Sequence, residues 1–244
     1  MGQLKNSVEL LGYYGSDETI ACSAWTSTSR ELTEGKRERI GKLINMLWSQ
    51  GHETPFEKAT VHFLINVDQA THIHILKHRM SSFNGESARY KELKEDKYYL
   101  PEDWDGININ LDWDNAKDEH GFHLGVPFKC AEIKDWNDML GWYTRLGNFL
   151  YHSAFNDLEP VLGRKRAKES ARFFKTYNSQ IQADVTFNMR SFANFLKLRR
   201  SPEAQLEIRE IADRMLECVV SLPGNRFKHT IQAWKDSEII KKEV

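Results

Sequence analysis

Residues 77–90 read Lys77-His78-Arg79-Met80-Ser81-Ser82-Phe83-Asn84-Gly85-Glu86-Ser87-Ala88-Arg89-Tyr90. Four cationic or titratable side chains (Lys77, His78, Arg79, Arg89) flank a serine-rich segment with few residues able to build a core. Unpaired charge is costly to bury. The stretch is therefore either a solvated loop or a pocket for an anionic, planar ligand. A second polar cluster is Asn188-Met189-Arg190-Ser191-Phe192-Ala193-Asn194-Phe195-Leu196-Lys197-Leu198-Arg199. On a helix, Arg190 and Asn194 share a face at i, i+4, while Arg199 points roughly the other way. The cluster offers two ligand-facing sides, or it is a solvated amphipathic helix whose basic end suits its dipole. A third cluster is Glu169-Ser170-Ala171-Arg172.

Other chemistries are less well supplied. His74 and His78 have the spacing of a metalloprotease helix, but Ile75 stands where that motif needs Glu, and His72 adds no carboxylate; no metal site is expected. There is no Gly-x-Ser-x-Gly, and Ser87, between Glu86 and Arg89, has no placed base. It is a hydrogen-bonding group or a nucleophile, the former being commoner. None of the 14 glycines forms Gly-x-Gly-x-x-Gly, so a nucleotide cofactor would need a non-Rossmann site. The Gly35-to-Gly41 spacing is one residue too long for a phosphate loop, and Leu43 follows Lys42 where Ser or Thr is required.

Stepping through the elements that must hold these groups, residues 8–14 predict a first strand and residues 18–27 a short helix. Residues 37–50 predict an amphipathic helix on Ile40, Leu43, Ile44, Leu47 and Trp48, stopped by Gly51. In Gly51-His52-Glu53-Thr54-Pro55-Phe56-Glu57, Thr54 and Glu57 have the spacing of a capping box with Pro55 at the first helical position, although His52, Thr54 and Glu57 also offer polar groups to a ligand. Residues 60–67 alternate, with Val61, Phe63, Ile65 and Val67 on one face. Asp68 suits the cap of a helix over 69–79, buried through Ile73, Leu76 and Met80, after which the chain is expected to run as a loop. Residues 95–119 hold nine acidic residues against two lysines, with Trp104 and Trp113; a surface excursion over about 95–127 is expected. Residues 135–159 predict a long helix with a stripe of Leu140, Tyr143, Leu146, Phe149, Leu150, Ala154 and Leu158. Another helix covers 164–174, its basic start needing an acidic neighbour. A short strand at 185–189, a short helix at 191–198, a helix from Ser201-Pro202-Glu203 to about 220, and a last one over 226–234 complete the chain. The expected fold class is α/β: residues 1–244 as a single domain, with a mixed or antiparallel sheet flanked by helices.

The chain has 244 residues, 40% apolar and 28% charged, with a net charge of −1. That balance is ordinary for a soluble globular protein and counts against a general nucleic-acid or membrane binder, so cationic sites must be local. Cys22, Cys130 and Cys218 are dispersed and odd in number, which argues against a disulfide framework or a structural zinc site. Without a signal-like start or a long apolar span, the expected location is the cytoplasm.

Together the polar clusters resemble the flavin-dependent thymidylate synthases. That family carries Arg-His-Arg, seven residues, then Ser, inside a longer Ser-Phe-Asn…Ser-x-Arg-Tyr pattern. Here Lys77-His78-Arg79 is followed by seven residues and Ser87, with Ser82-Phe83-Asn84 and Arg89-Tyr90 in place. The 51–57 turn, Glu169…Arg172, Asn188…Arg199 and Ala204-Gln205…Glu207-Ile208 resemble the family's segments in the same order.

The resemblance implies an α/β homotetramer with active sites between subunits. It implies conversion of dUMP to dTMP with 5,10-methylenetetrahydrofolate as one-carbon donor, FAD as cofactor and NADPH as reductant. It assigns Thr54, Lys77, His78, Arg79, Asn188, Arg190 and Asn194 to FAD. It assigns His74, Lys77, Glu86, Ser87, Arg89, Arg172 and Arg199 to dUMP, with Arg199, Ser87 and His52 at the chemistry. Guanidinium forks suit a phosphate dianion, and Arg199 suits negative charge on a uracil ring. Four positions depart from the family pattern. Lys77 replaces Arg, Gly85-Glu86 stands where Glu leads, His74 stands where Gln is frequent, and Glu203 where His is frequent. A nucleotide-binding protein without turnover and a local nucleic-acid binder are the competing readings.

Overall fold

The computed structural model describes residues 2–29, 31–87, 89–110 and 133–240. In chain order these form β1 (Ser7–Tyr14), α1 (Asp17–Trp25), α2 (Glu34–Arg37), α3 (Ile40–Ser49), β2 (Thr60–Asp68), α4 (Gln69–Leu76), β3 (Ser81–Gly85), α5 (Trp136–Leu162), α6 (Arg164–Ala171), β4 (Gln180–Asn188), α7 (Met189–Arg199), α8 (Leu206–Val220) and α9 (Lys228–Asp236). Short 3-10 turns lie at Thr54–Lys58, Glu102–Trp104, Arg172–Phe174 and Pro223–Asn225. The chain divides into two compact units, one of residues 6–86 and 180–240 and one of residues 2–5 and 87–179 among those described. Cys130, Trp113 and the 111–127 part of the expected surface excursion lie outside the described residues.

The first unit is built on an antiparallel sheet in the order β1-β2-β4-β3. Alternation decides its faces. Val61, Phe63, Ile65 and Val67 of β2 are fully buried, and they pair in register with Phe187, Val185, Ala183 and Ile181 of β4. The expected strand at 185–189 extends over nine residues because this pairing continues back to Gln180. On the apolar side lie Ile20 of α1, Ile44 and Trp48 of α3, Phe192 and Phe195 of α7, Ile211 and Met215 of α8, and Trp234 of α9. Trp48 meets Phe56 and Trp234 edge-on at ring separations of 4.9 and 5.9 Å.

Three local expectations are corrected here. Residues 81–85 are not loop but strand, hydrogen-bonded to β4 with Phe83 opposite Val185. α4 ends at Leu76 and buries Thr71 and Ile75, whereas Ile73, Leu76 and Met80 are exposed by 40%, 47% and 70%. Ser201-Pro202-Glu203 forms a turn in which Ser201 Oγ accepts from the Glu203 amide at 3.3 Å, and α8 starts later, at Leu206. Asp68 does cap α4, accepting from the Thr71 amide at 2.8 Å.

The second unit centres on α5, capped by Asp135, which accepts from the Asp138 amide at 2.8 Å. Its buried face is Gly141, Thr144, Gly147, Asn148, Tyr151 and Phe155. The expected stripe is therefore displaced: Tyr143 and Phe149 are exposed. Small residues permit close backbone approach, so at Gly147 an added Cβ would sit 2.5 Å from the Phe174 carbonyl oxygen. Gly163, with φ of 77°, ends the helix in a conformation that L side chains rarely adopt. The basic start of α6 has its acidic neighbours, since Arg164 pairs with Glu159 and Glu92, each at 3.0 Å. Lys175, with its side chain only 3% exposed, donates to Asp96 at 2.7 Å and Asn148 at 2.8 Å.

Candidate functional site

The strongest constellation lies where α4 gives way to β3 and α7 ends. Arg199 is the last residue of α7. Its Nε donates to His78 Nε2 at 2.8 Å, and its Nη2 donates to the His74 carbonyl at 3.2 Å. Nη1 faces His74 Nδ1 at 3.5 Å. His78 also packs edge-on against Phe195 at 5.0 Å, which anchors the ring to the core. Burial, then the positive Arg199 nearby, with a smaller contribution from His74, pushes the His78 pKa down to about 4. The imidazole is therefore neutral near pH 7 and accepts through Nε2. Arg199 has no carboxylate partner among the described residues, and burial lowers its pKa from the ordinary value. A half-buried guanidinium whose partners are neutral acceptors retains its charge for an incoming anion.

A second constellation joins the 51–58 turn to the start of α7. The expected capping box is absent: Thr54–Lys58 is a 3-10 turn with no side-chain cap. Glu57 is drawn instead to Arg190, accepting from Nη1 at 2.7 Å, and Glu53 accepts from Nε at 2.9 Å. Asn188 caps α7, its Oδ1 accepting from the Ser191 amide at 2.8 Å. His52, Thr54 and Asn194 are exposed. The two sides of α7 thus serve different partners, as the spacing of Arg190 and Arg199 predicts.

The third constellation lies in the second unit. Arg89 donates from Nε to Glu169 at 2.8 Å, which ties Arg89 to the Glu169…Arg172 cluster within this unit. Ser87 Oγ accepts from the Arg89 amide at 3.3 Å, the geometry of a turn. Arg172, in the 3-10 turn after α6, is exposed. Glu86, in the first unit, is held to β4: its amide donates to the Gln182 carbonyl at 2.8 Å, and its Oε2 accepts from the Gln182 amide at 3.4 Å.

The donor set suits an anionic ligand. Lys77 and Arg79 are exposed cations with no ion-pair partner among the described residues, which matches a pyrophosphate. Thr54 and Asn194 add exposed polar groups. His74 and His78 turn lone pairs to a guanidinium, and no group of three or more possible metal ligands occurs among the described residues.

The sequence offers Glu57 as a polar group for a ligand but gives no site role to Glu53 or Gln205. Glu53 and Glu57 lie i, i+4 beside His52 and Thr54, a spacing that signals a two-carboxylate clamp for a cation. Gln205 accepts from His74 Nε2 at 3.1 Å, and nothing in its local sequence signals that contact.

The family model described as thymidylate synthase complementing protein matches residues 9–222, drawing on both units. A flavin-dependent thymidylate synthase of Clostridium tetani is 26% identical over 234 residues, covering 91% of this chain and 86% of that protein. One from Rickettsia conorii is 29% identical over 214 residues, covering 87% and 71%. Among solved structures, the UMP/dUMP methylase PolB from Streptomyces cacaoi bound with 5-Br dUMP has the same fold. It aligns at a TM-score of 0.67 and 24% identity, covering 96% of each chain. Its complex with 5-Br UMP aligns at 0.70 and 20%, covering 99% of each. With the match running almost end to end, the chain belongs to the thymidylate synthase complementing protein family, the flavin-dependent thymidylate synthases.

Proposed function

We propose that this chain carries out the reductive methylation of dUMP to dTMP, using 5,10-methylenetetrahydrofolate as one-carbon donor and NADPH as the source of electrons. Bound FAD supplies the hydride that side chains cannot. Residues 1–244 act as a single catalytic domain, working as a homotetramer in the cytoplasm with active sites between subunits. Exposed Ile73, Leu76 and Met80, close in sequence, support the assembly, because exposed apolar side chains favour a covering partner.

The observation that carries the reading is Arg199, a half-buried cation held by two imidazoles and, among the described residues, by no carboxylate. Such a group stabilises negative charge developing on a uracil ring, assisting loss of the N3 proton and activating C5. Lys77 and Arg79 hold the anionic part of the flavin dinucleotide. Thr54, His78, Asn188, Arg190 and Asn194 complete its contacts, and His52 lies near flavin and folate. Ser87, Arg89 and Arg172 hold dUMP through its phosphate and sugar, and His74, Lys77 and Glu86 also contact it. Neutral His78 orients the Arg199 guanidinium without neutralising it.

Purified protein should be yellow, release FAD on denaturation, and form dTMP from dUMP with methylenetetrahydrofolate and NADPH. Absence of dTMP from a folded, FAD-bound sample overturns the proposal, and dUMP binding without turnover would favour a nucleotide-binding protein that kept the pocket. In Arg199→Ala, FAD is retained and most turnover is lost; full activity would remove Arg199 from the mechanism.

A further inference from the structure

Gln205 stands at the cap position of α8, yet its side chain makes no capping hydrogen bond. It turns instead to His74, its Oε1 lying 3.1 Å from His74 Nε2. The other nitrogen of that ring, Nδ1, lies 3.5 Å from Arg199 Nη1. These contacts have a direction. A guanidinium carries only N–H donors, so whatever faces it must present a lone pair. His74 Nδ1 is therefore unprotonated, and in the neutral ring the proton sits on Nε2. That N–H needs an acceptor, and the amide of Gln205 must point its oxygen, not its NH2, at the ring. The hydrogen bonds run one way, from Arg199 to His74 to Gln205, 131 residues apart in sequence at the last step.

We propose that Gln205 is a positioning residue that selects the Nε2–H tautomer of His74 and through it holds the Arg199 guanidinium in place for an anionic pyrimidine nucleotide. The proposal rests on the reading of Arg199 as the group that meets the dUMP ring. Without the Gln205 oxygen, only the longer 3.5 Å contact of Nδ1 with Arg199 favours the proton on Nε2. The Nδ1–H tautomer would turn a donor toward a donor, and Nη1 of the guanidinium would lose its acceptor. His78, accepting from Nε at 2.8 Å, and the His74 carbonyl, accepting from Nη2 at 3.2 Å, would still hold the fork, but with Nη1 unanchored.

Gln205 is exposed, so its substitution leaves the core intact. The test compares the FAD-loaded wild type with Gln205→Met, which keeps the shape and removes the acceptor, and Gln205→Glu, which keeps the acceptor. Histidine is labelled with 15N, the His74 signals are identified from a His74→Asn sample, and dUMP affinity is measured by calorimetry. In Gln205→Met the His74 signals should move toward the Nδ1–H form and dUMP affinity should fall about 5- to 10-fold, the loss of one neutral hydrogen bond. Gln205→Glu should restore both. Unchanged His74 signals in Gln205→Met overturn the proposal, whether or not dUMP affinity falls. Should the wild type fail to bind dUMP, the functional reading fails on its own, while the tautomer comparison still decides the role of Gln205 toward His74 and Arg199.

Discussion

Arg190, one residue into α7, donates from Nη1 to Glu57 Oε1 across 2.7 Å, between positions 133 apart in the chain. With Glu53 on Nε at 2.9 Å, the guanidinium fork ties the turn bearing His52 and Thr54 to the start of α7. A lysine keeps the charge but not the fork. Arg190→Lys should weaken FAD binding about 10-fold in titrations of the apoprotein. Its melting temperature should barely move, because exposed ion pairs contribute little to stability. FAD affinity equal to wild type would show that this clamp does not shape the cofactor site.

His78 makes stability depend on pH in a defined direction. Its folded pKa of about 4 lies below the ordinary value of 6.5, so between these values the unfolded chain binds more protons than the folded one. The stabilisation is complete above about pH 6.5 and is lost as pH falls through the folded value. Urea unfolding at pH 7 and pH 4.5 should differ by on the order of 1–3 kcal/mol from this residue. In His78→Gln that component of the slope should disappear; a slope identical to wild type would assign it to other groups.

Ser87 is a turn residue, its Oγ accepting from the Arg89 amide at 3.3 Å, and no general base contacts it among the described residues. An obligatory nucleophile needs such a base. Ser87→Ala should therefore keep substantial turnover, with the loss falling on KM for dUMP. Complete loss of kcat in a folded, FAD-bound variant would restore the nucleophile reading.

Gly147 on α5 faces the backbone of Phe174, with 2.5 Å between a built Cβ and the carbonyl oxygen. Backbone cannot rotate away as a side chain does, so Gly147→Ala should destabilise by about 1–3 kcal/mol despite its better helix propensity. A thermal melt reads it directly, and a variant as stable as wild type would mean that α5 and the Arg172–Phe174 turn separate at little cost.

Alternation in residues 60–67 is a property of the local chain, and the burial of Val61, Phe63, Ile65 and Val67 follows from it. The helical spacing of Ile40, Ile44, Leu47 and Trp48 works in the same way, because one apolar face seeks one core. α5 shows where such reasoning ends. Its apolar stripe was legible, but Gly141, Thr144 and Gly147 form the buried face, since close backbone approach rewards small residues that a hydrophobicity pattern passes over.

By itself the sequence determined the strands and helices with clear periodicity, the ordered polar blocks, and with them the family. Only the tertiary structure decided which charges meet. Residues 81–85 carry no strand signal and become one because the edge of β4 supplies the hydrogen bonds. Glu57 has the spacing of a cap, yet an arginine 133 positions away claims it. Gln205 sits in a block that resembles the family's, but nothing local names His74 as its partner until the packing brings them together. Local periodicity is written in neighbouring residues. The partner of a guanidinium or an imidazole is chosen by whichever distant segment the packed core carries within about 3 Å, the reach of a hydrogen bond.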